Sequence, residues 1–405
     1  MAKKPNMTLV PEELARVTKQ YAEKTAAEAE KAQTAEASAE AEAAKAAKEA
    51  AAEKWARIQE DYKKPLDPHA LLEVRHLYKC FPIKKSLTGK PLQNLMAVDD
   101  ISFTLNPGET LGIVGESGCG KTTMGRTVLK LHPASSGKIF FGGEDITDFG
   151  REEMRPIRTK MQIIFQDPYS SLPPRSTVGD ILSEPVKVHN IVPPSEVRSY
   201  VLQLMEQCGL RDYYYERYPH EFSGGQRQRI CIARALSVRP QLVVCDEPVS
   251  ALDVSIQAQI INLLRKLQKD LNLAYLFISH DLSVVKFISD KIGVMYLGAM
   301  MEFGKKKDIF DNPLHPYTKA LFSAIPNPNP DVKMNRIVLQ GDIPSPANPP
   351  KGCRFHTRCP HATERCKTEA PVYREYEPGH FAACHLLEGG TEVPKDKMPE
   401  ATAEN

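Results

Sequence analysis

The sequence contains no apolar run that could cross a lipid bilayer. No uninterrupted apolar stretch approaches the ~18–20 residues that a transmembrane helix needs. The N-terminus (MAKKPNMTLVPEELAR) also lacks the apolar centre of a secretion signal. We therefore expect a cytosolic chain that reaches a membrane only by docking onto other chains. A net charge of +2 over 405 residues gives no basic field, which argues against nucleic acid as a partner.

Glycine and proline are both absent between residues 12 and 64. This segment is rich in Ala, Glu and Lys, which favours a helix. Its larger apolar residues lie near its two ends, and the middle is almost all Ala on its apolar side, so it can bury little surface. We expect residues 1–65 to form a helical extension. It is either a solvated or partly disordered extension, or a helix that docks onto a partner or self-associates.

Cysteines are scattered through most of the chain but cluster near its end. Four of the nine, with spacing C-x5-C-x6-C-x17-C, follow residue 350. Structural disulfides are not expected in a cytosolic chain. Four thiolates near one another suit zinc or an iron–sulfur cluster, but the spacing matches neither standard ferredoxin runs nor common zinc sites. The residues alone leave iron–sulfur, zinc and plain reduced thiols open for Cys353, Cys359, Cys366 and Cys384.

Strand-like and helix-like segments alternate from about Leu71 onward, which indicates an α/β fold with a mostly parallel sheet. IGVMYLGAMMEFG resembles a hairpin centred on Gly298. After His315 the pattern loosens into Pro-rich, Cys-containing sequence. The predicted organisation is a main domain at 71–315 with a helical subdomain at about 167–235, a small Cys-rich domain at 316–388, and a disordered tail at 389–405.

A glycine-rich segment at residues 115–122, GESGCGKT, fits the pattern G-x-x-x-x-G-K-[ST]. It follows an apolar strand and opens a helix, so its backbone N–H groups and the helix N-terminus can hold phosphate oxygens. Lys121 is expected to reach the β- and γ-phosphates, and Thr122 to offer a hydroxyl to Mg²⁺. The candidate nucleotide-binding residues are Gly115, Glu116, Ser117, Gly118, Cys119, Gly120, Lys121, Thr122 and Thr123.

An apolar segment, LVVC, runs into two carboxylates, Asp246 and Glu247. Adjacent residues on a strand point in opposite directions, so the two carboxylates can have different functions. Asp246 is expected to hold the Mg²⁺ shell, and Glu247 to polarise the attacking water as a general base. A strand that simply enters a charged turn would look the same, so this pair gains meaning only from the motifs around it.

Between these motifs lies FSGGQRQR at residues 222–229, which resembles the signature sequence of ABC (ATP-binding cassette) proteins. The resemblance implies a RecA-like core with a helical subdomain. It also implies that this segment meets the γ-phosphate of ATP held by an opposite subunit. Phe222 replaces the commoner Leu. The residues to which the resemblance gives this role are Ser223, Gly224, Gly225 and Gln226.

Four further residues match landmarks of the ABC family in the expected order. Phe81 matches the aromatic residue that stacks on adenine, and Gln166 matches the glutamine that senses Mg²⁺ and the attacking water. Asp253 matches a residue that communicates across the subunit pair, and His280 matches the switch histidine that contacts the γ-phosphate. With Asp246 and Thr122, Gln166 completes the expected Mg²⁺ set.

Within that family the chain resembles the ATPases of oligopeptide/dipeptide importers, and more closely the second, F-type sister subunit. The resemblance rests on GESGCGKTT, IIFQDPYSSL, PLHPYT at residues 313–318, and the Cys-rich end. Some relatives carry a [4Fe–4S] cluster at similar cysteines, which implies one here, with zinc as the alternative. Pro173 stands where relatives usually have Asn.

The same resemblance implies partners and a location. They are a sister ATPase, two transmembrane permease subunits and an extracellular or periplasmic substrate-binding protein, with this chain on the cytoplasmic face of the membrane. Nickel, glutathione or another small solute is the alternative cargo. A non-transport ABC ATPase is less favoured, because such proteins typically carry two cassettes or a coiled-coil insertion.

Overall fold

The computed structural model describes residues 45, 49, 52–85, 91–325 and 336–388. Expectations for the rest of residues 1–51 and for the tail at 389–405 lie outside the described residues. None of the helices in these ranges is long and apolar enough to span a membrane.

The centre of the molecule is an eight-stranded sheet in the order β11-β12-β10-β9-β3-β8-β7-β6. Strands β6, β7, β8, β3 and β9 pair in parallel, which confirms the predicted α/β class. β3, β7 and β8 are five-residue strands buried along their whole length, as expected when helices or a second sheet cover both faces. The parallel strands are β3 (Thr110–Val114), β6 (Met161–Ile164), β7 (Leu242–Asp246), β8 (Ala274–Ile278) and β9 (Lys291–Tyr296).

A second, four-stranded antiparallel sheet packs against one face of the central sheet. Its order is β2-β1-β4-β5. Alternate residues of β7 divide the core between the two faces: Leu242 and Val244 pack towards this smaller sheet, whereas Val243 and Cys245 pack towards the helices. The strands of the smaller sheet are β1 (Leu72–Lys85), β2 (Pro91–Leu105), β4 (Ser136–Phe141) and β5 (Glu144–Asp145).

Helices make up every regular element between residues 168 and 236, in line with the helical pattern of that part of the sequence. The N-terminal helix of the described residues is α1 (52–63). The others are α2 (Lys121–Val128), α3 (Met154–Lys160), α4 (Pro168–Ser171), α5 (Val178–Val188), α6 (Val197–Gln207), α7 (Gly224–Leu236), α8 (Val254–Leu271), α9 (Leu282–Ile288), α10 (Lys306–Asp311), α11 (Pro316–Phe322) and α12 (Glu364–Thr368).

The C-terminal segment extends the central sheet at one edge. β9 and β10 (Ala299–Lys305) form the predicted hairpin, with Tyr296 opposite Ala299 and the turn at Leu297 and Gly298. β12 (His380–Ala382) pairs with β10, and β11 (Arg374–Glu377) pairs with β12. The Cys-rich segment is therefore joined to the central sheet by backbone hydrogen bonds, and the domain boundaries stay a prediction.

The helix α1 lies on the small antiparallel sheet. Ile58 is 3% exposed. The Arg75 guanidinium of β1 donates hydrogen bonds to the backbone carbonyls of Asp61, Lys64 and Pro65. His76 contacts Asp61 as well, at 3.0 Å. The last turns of the N-terminal extension thus dock onto the chain's own core.

Candidate functional site

The phosphate-binding loop connects β3 to α2 and is packed tightly on both sides. Gly115 and Gly120 have φ of +149° and +105°, and a Cβ on either would lie 2.1 Å from a backbone carbonyl oxygen, that of Met295 or Ala97 respectively. Only glycine fits such positions. The buried Lys121 ammonium donates to the carbonyls of Gly115 at 2.7 Å and Glu116 at 3.0 Å. The loop is therefore already wrapped around the lysine that is expected to reach phosphate.

Asp246, at the end of β7, faces the start of α2. The Thr122 hydroxyl donates to one Asp246 carboxylate oxygen at 2.6 Å, and Arg126 donates to the other at 3.3 Å. Asp246 is 1% exposed, so its charge needs such partners. A hydroxyl and a carboxylate that meet in this way are oxygen ligands of the kind Mg²⁺ prefers. Thr122 and Asp246, two of the residues expected to hold Mg²⁺, thus lie next to each other.

Glu247 points into the site from a strained backbone position. Its φ is +48°, a left-handed conformation that costs a non-glycine residue about 1–3 kcal/mol. One carboxylate oxygen, Oε2, accepts a hydrogen bond from the Gln166 amide at 2.9 Å and lies 3.1 Å from Nδ1 of His280. The three expected catalytic residues therefore converge on one oxygen.

These groups surround a cavity of about 670 Å³. Phe81 lies on its wall, with the Lys79 ammonium 4.7 Å from its ring centroid, and Pro346 reaches it from the C-terminal segment. The sequence-predicted residues that line it are Phe81, Ser117, Gly118, Cys119, Gly120, Lys121, Thr122, Thr123, Gln166, Glu247 and His280, and the lining also includes Leu95, Met96, Ala97, Gly298 and Pro346.

The signature segment lies elsewhere on the surface of the chain. Ser223 caps α7 and forms a reciprocal capping box with Gln226, which fixes the helix N-terminus. A Cβ on Gly225 would lie 2.4 Å from Cγ2 of Ile256, in the helix that Asp253 caps. Among the residues that the structure describes, the cavity lining includes none of Ser223, Gly224, Gly225, Gln226 and Asp253.

The four C-terminal cysteines lie in one small region. Cys353 donates its backbone N–H to the carbonyl of Cys366 at 2.9 Å. Burial raises the pKa of the Cys384 thiol to about 12, and the charges of Cys353, Cys359 and Cys366 act in the same direction. Within the described ranges, no group of three or more His, Cys, Asp or Glu side chains is arranged to hold a metal ion. The thiols therefore share a neighbourhood without forming a compact single-ion site.

Three residues around the site were not predicted from the sequence. Arg126 pairs with Asp246. Tyr317 and Arg358 contact Glu116 of the phosphate-binding loop, at 3.0 and 2.7 Å. The segment PLHPYT drew attention only as a family marker, and no periodicity or spacing links residue 358 to residue 116. These contacts arise from tertiary packing alone.

Comparisons with known proteins agree with this geometry. A family model described as "ABC transporter" matches residues 98–250. A second, described as "Oligopeptide/dipeptide transporter, C-terminal region", matches residues 301–366. A dimeric structure of the ATP-binding cassette MJ0796 in a post-hydrolysis state, bound to ADP and Pi, has a TM-score of 0.52 and 25% identity. The match covers 58% of this chain and 98% of that one.

Two curated relatives cover most of the chain. The oligopeptide transport ATP-binding protein AppF of Bacillus subtilis is 55% identical over 319 residues, which are 78% of this chain and 97% of the relative. The dipeptide transport ATP-binding protein DppF of Haemophilus influenzae is 50% identical over 318 residues, again 78% of this chain and 97% of the relative. The chain therefore belongs to the ATP-binding subunits of ABC transporters, in the oligopeptide/dipeptide transporter family.

Proposed function

We propose that this chain hydrolyses ATP to power the import of oligopeptides or dipeptides. The observation that carries the proposal is the Glu247 carboxylate, held by Gln166 and His280 on the wall of the cavity that the phosphate-binding loop lines. The names of the relatives support a peptide cargo.

The residues around the cavity have different functions in hydrolysis. Lys121 and the N-terminus of α2 hold the β- and γ-phosphates. Thr122, Asp246 and Gln166 would hold Mg²⁺, whose positive charge would offset the negative charge of the phosphates. Glu247 accepts a proton from the attacking water, while Gln166 and His280 orient its carboxylate. Phe81 provides a flat apolar surface for the adenine base.

The same proposal requires a second ATPase subunit. The signature segment lies away from the chain's own cavity, and its capped helix N-terminus at Ser223, Gly224 and Gly225 suits an anion. We place it against the γ-phosphate held by a sister subunit, with Gln226 and Asp253 at the same contact. The dimeric form of the related cassette supports this arrangement. Two permeases and an external binding protein complete the transporter, with the chain on the cytoplasmic face.

A transport assay tests the proposed cargo. We prepare proteoliposomes with the sister ATPase, both permeases and the binding protein. We expect them to take up a labelled oligopeptide only when this chain is also present and ATP is inside the vesicles. Uptake of Ni²⁺ or glutathione with no uptake of peptide would assign the alternative cargo. ATP hydrolysis that never depends on permease or binding protein would contradict a transport role.

We also propose that Cys353, Cys359, Cys366 and Cys384 hold a [4Fe–4S] cluster. The four thiols lie near enough for the charges of Cys353, Cys359 and Cys366 to act on Cys384, and four cysteine thiolates are the usual ligand set of such a cluster. The cluster would hold the small C-terminal segment together, as metals do in other small domains. The cluster would take no chemical part in hydrolysis.

Anaerobic purification tests this cofactor. We expect visible absorption and about four irons per chain, lost in Cys359→Ser. Cys80→Ser is the matched control, because Cys80 is also half-buried but lies outside the cluster. One zinc per chain would replace the iron–sulfur assignment, and a metal-free protein would leave four reduced thiols.

A further inference from the structure

The loop between Cys353 and Cys359 lies directly against the phosphate-binding loop. The Arg358 guanidinium donates to the Glu116 carboxylate at 2.7 Å, and the side chains of Arg358 and Glu116 are 8% and 21% exposed. The backbone N–H of Glu116 donates to the Tyr317 hydroxyl at 3.0 Å. Two groups from the C-terminal part of the chain therefore hold one residue of the loop, by its side chain and by its backbone.

A second contact reaches the other half of the phosphate-binding loop. Arg354, in the same C-terminal loop, donates to the carbonyl of Leu297 and to the Asp99 carboxylate. Next to Leu297, the backbone N–H of Gly298 donates to the carbonyl of Cys119 at 2.8 Å. The hairpin turn thus connects the C-terminal loop to the backbone of Cys119, two residues before Lys121.

An aromatic cluster makes this support rigid. The rings of Tyr296, Tyr317 and Phe355 lie with their centroids 4.8 to 5.4 Å apart, and all three are fully buried. The Tyr296 hydroxyl lies 3.5 Å from Arg358. Burial raises the pKa of Tyr317, so its phenol stays protonated and neutral beside Glu116. Arg358 therefore has little freedom to move away from the loop.

We propose that Arg358 is a positioning residue of the nucleotide site, acting through Glu116. Glu116 places a carboxylate in the loop that wraps the phosphates, where an unpaired negative charge would repel a polyphosphate. The guanidinium neutralises that charge and fixes the loop with a charge-assisted hydrogen bond. The C-terminal segment is thereby part of the nucleotide site. This inference rests on the proposed binding of Mg–ATP.

Equilibrium binding of Mg–ATP to the full chain tests the inference. We expect Arg358→Gln to weaken Mg–ATP binding about 5- to 150-fold, the range of an ordinary coupling between sites. Arg358→Lys keeps the charge but loses the planar guanidinium, so a smaller loss is expected. In ATPase assays KM should rise by the same factor while kcat changes less than about twofold, because the groups that act on water are untouched.

A double-mutant cycle separates positioning from a general effect on folding. Once Glu116→Gln has removed the carboxylate, adding Arg358→Gln should weaken binding by less than about twofold. Arg365→Gln is the control, since the Arg365 side chain is 51% exposed and forms ion pairs with Glu369 and Glu388 in the same segment, and it should bind like the wild type.

Three results would overturn the inference. The first is wild-type affinity for Mg–ATP in Arg358→Gln. The second is a double variant in which the affinity losses of the two single variants multiply. The third is a loss of affinity in Arg365→Gln equal to that in Arg358→Gln. If Arg358→Gln does not fold, the Arg358→Lys loss and its suppression by Glu116→Gln give the same decision. Failure of the wild-type chain to bind Mg–ATP would instead overturn the proposed function.

Discussion

Replacement of Glu247 by Gln should lower the turnover of ATP by about 10²- to 10⁴-fold, the usual contribution of a general base, while Mg–ATP still binds. The amide has nearly the same size and can still contact Gln166 and His280, which lie 2.9 and 3.1 Å from the carboxylate. It cannot accept a proton from water. The loss should therefore appear in kcat, with KM changed little.

Steady-state hydrolysis and equilibrium binding on the same preparation measure this prediction. Glu144→Gln provides the control, because it removes an exposed carboxylate of β5 on the small antiparallel sheet, and it should hydrolyse ATP at the normal rate. A Glu247→Gln variant with normal turnover would show that another group is the base. A variant that no longer binds Mg–ATP would mean that Glu247 mainly shapes the cavity.

The sequence predicted best those parts of the site that are local in the chain. The phosphate-binding loop and the Asp246–Glu247 strand end each lie within one short segment, where glycine spacing and an apolar run have a direct structural meaning. Gln166 and His280 were placed only through family resemblance. Their convergence on one oxygen of Glu247 depends on the order β8-β7-β6 in the sheet and on the positive φ of Glu247.

The parts that could not be predicted are contacts between segments far apart in the chain. Arg358 lies 242 positions from Glu116, and Arg354 lies 255 from Asp99. No local periodicity reports such pairs. The sequence likewise left the N-terminal extension open between a solvated or partly disordered segment and a helix that docks onto a partner or self-associates, because its few apolar residues do not say which surface Ile58 covers. Tertiary packing decided these features.

The Cys-rich segment illustrates the same limit at the level of domains. Its loose, Pro-rich pattern predicted a small domain at 316–388, which stays a prediction, but gave no sign that β12 pairs with β10 of the central sheet. The edge of a sheet offers unpaired N–H and C=O groups to any nearby strand. The three residues of β12 are too few to give a clear alternation in the sequence.

Removal of the Glu302 carboxylate should strongly destabilise this junction. Glu302 is fully buried and accepts hydrogen bonds from the backbone N–H groups of Leu314 and His315, and from the His380 ring, each at 2.8 Å. Glu302→Ala leaves two N–H groups and a buried imidazole without their partner. We expect the free energy of unfolding to fall by about 3–5 kcal/mol, the usual cost of breaking a buried pair, as measured by chemical denaturation.

Two matched variants define the origin of that loss. Glu302→Gln keeps the shape and one acceptor oxygen, so about 1–3 kcal/mol is expected. Glu364→Ala removes a carboxylate that is 87% exposed and pairs with Lys367, so it should stay within about 0.5 kcal/mol of wild type. An equal loss in Glu302→Ala and Glu364→Ala would contradict a specific function of the buried pair.

The difference in free energy of unfolding between wild type and Glu302→Gln should depend on pH. This dependence shows whether Glu302 stabilises the junction by its charge or by its shape. Burial alone lowers the pKa of His380, but the hydrogen bond and charge of Glu302 outweigh it, with Glu377 and Asp308 acting in the same direction, so the net pKa is raised above 6.5. The charged pair thus contributes fully below pH 6.5, and its contribution falls as pH rises through the folded-state pKa. The difference in free energy of unfolding between wild type and Glu302→Gln should therefore become smaller as pH rises from 6.5 through the folded-state pKa of His380. A gap that does not change with pH would mean that His380 stays neutral and that the junction depends on hydrogen bonds alone.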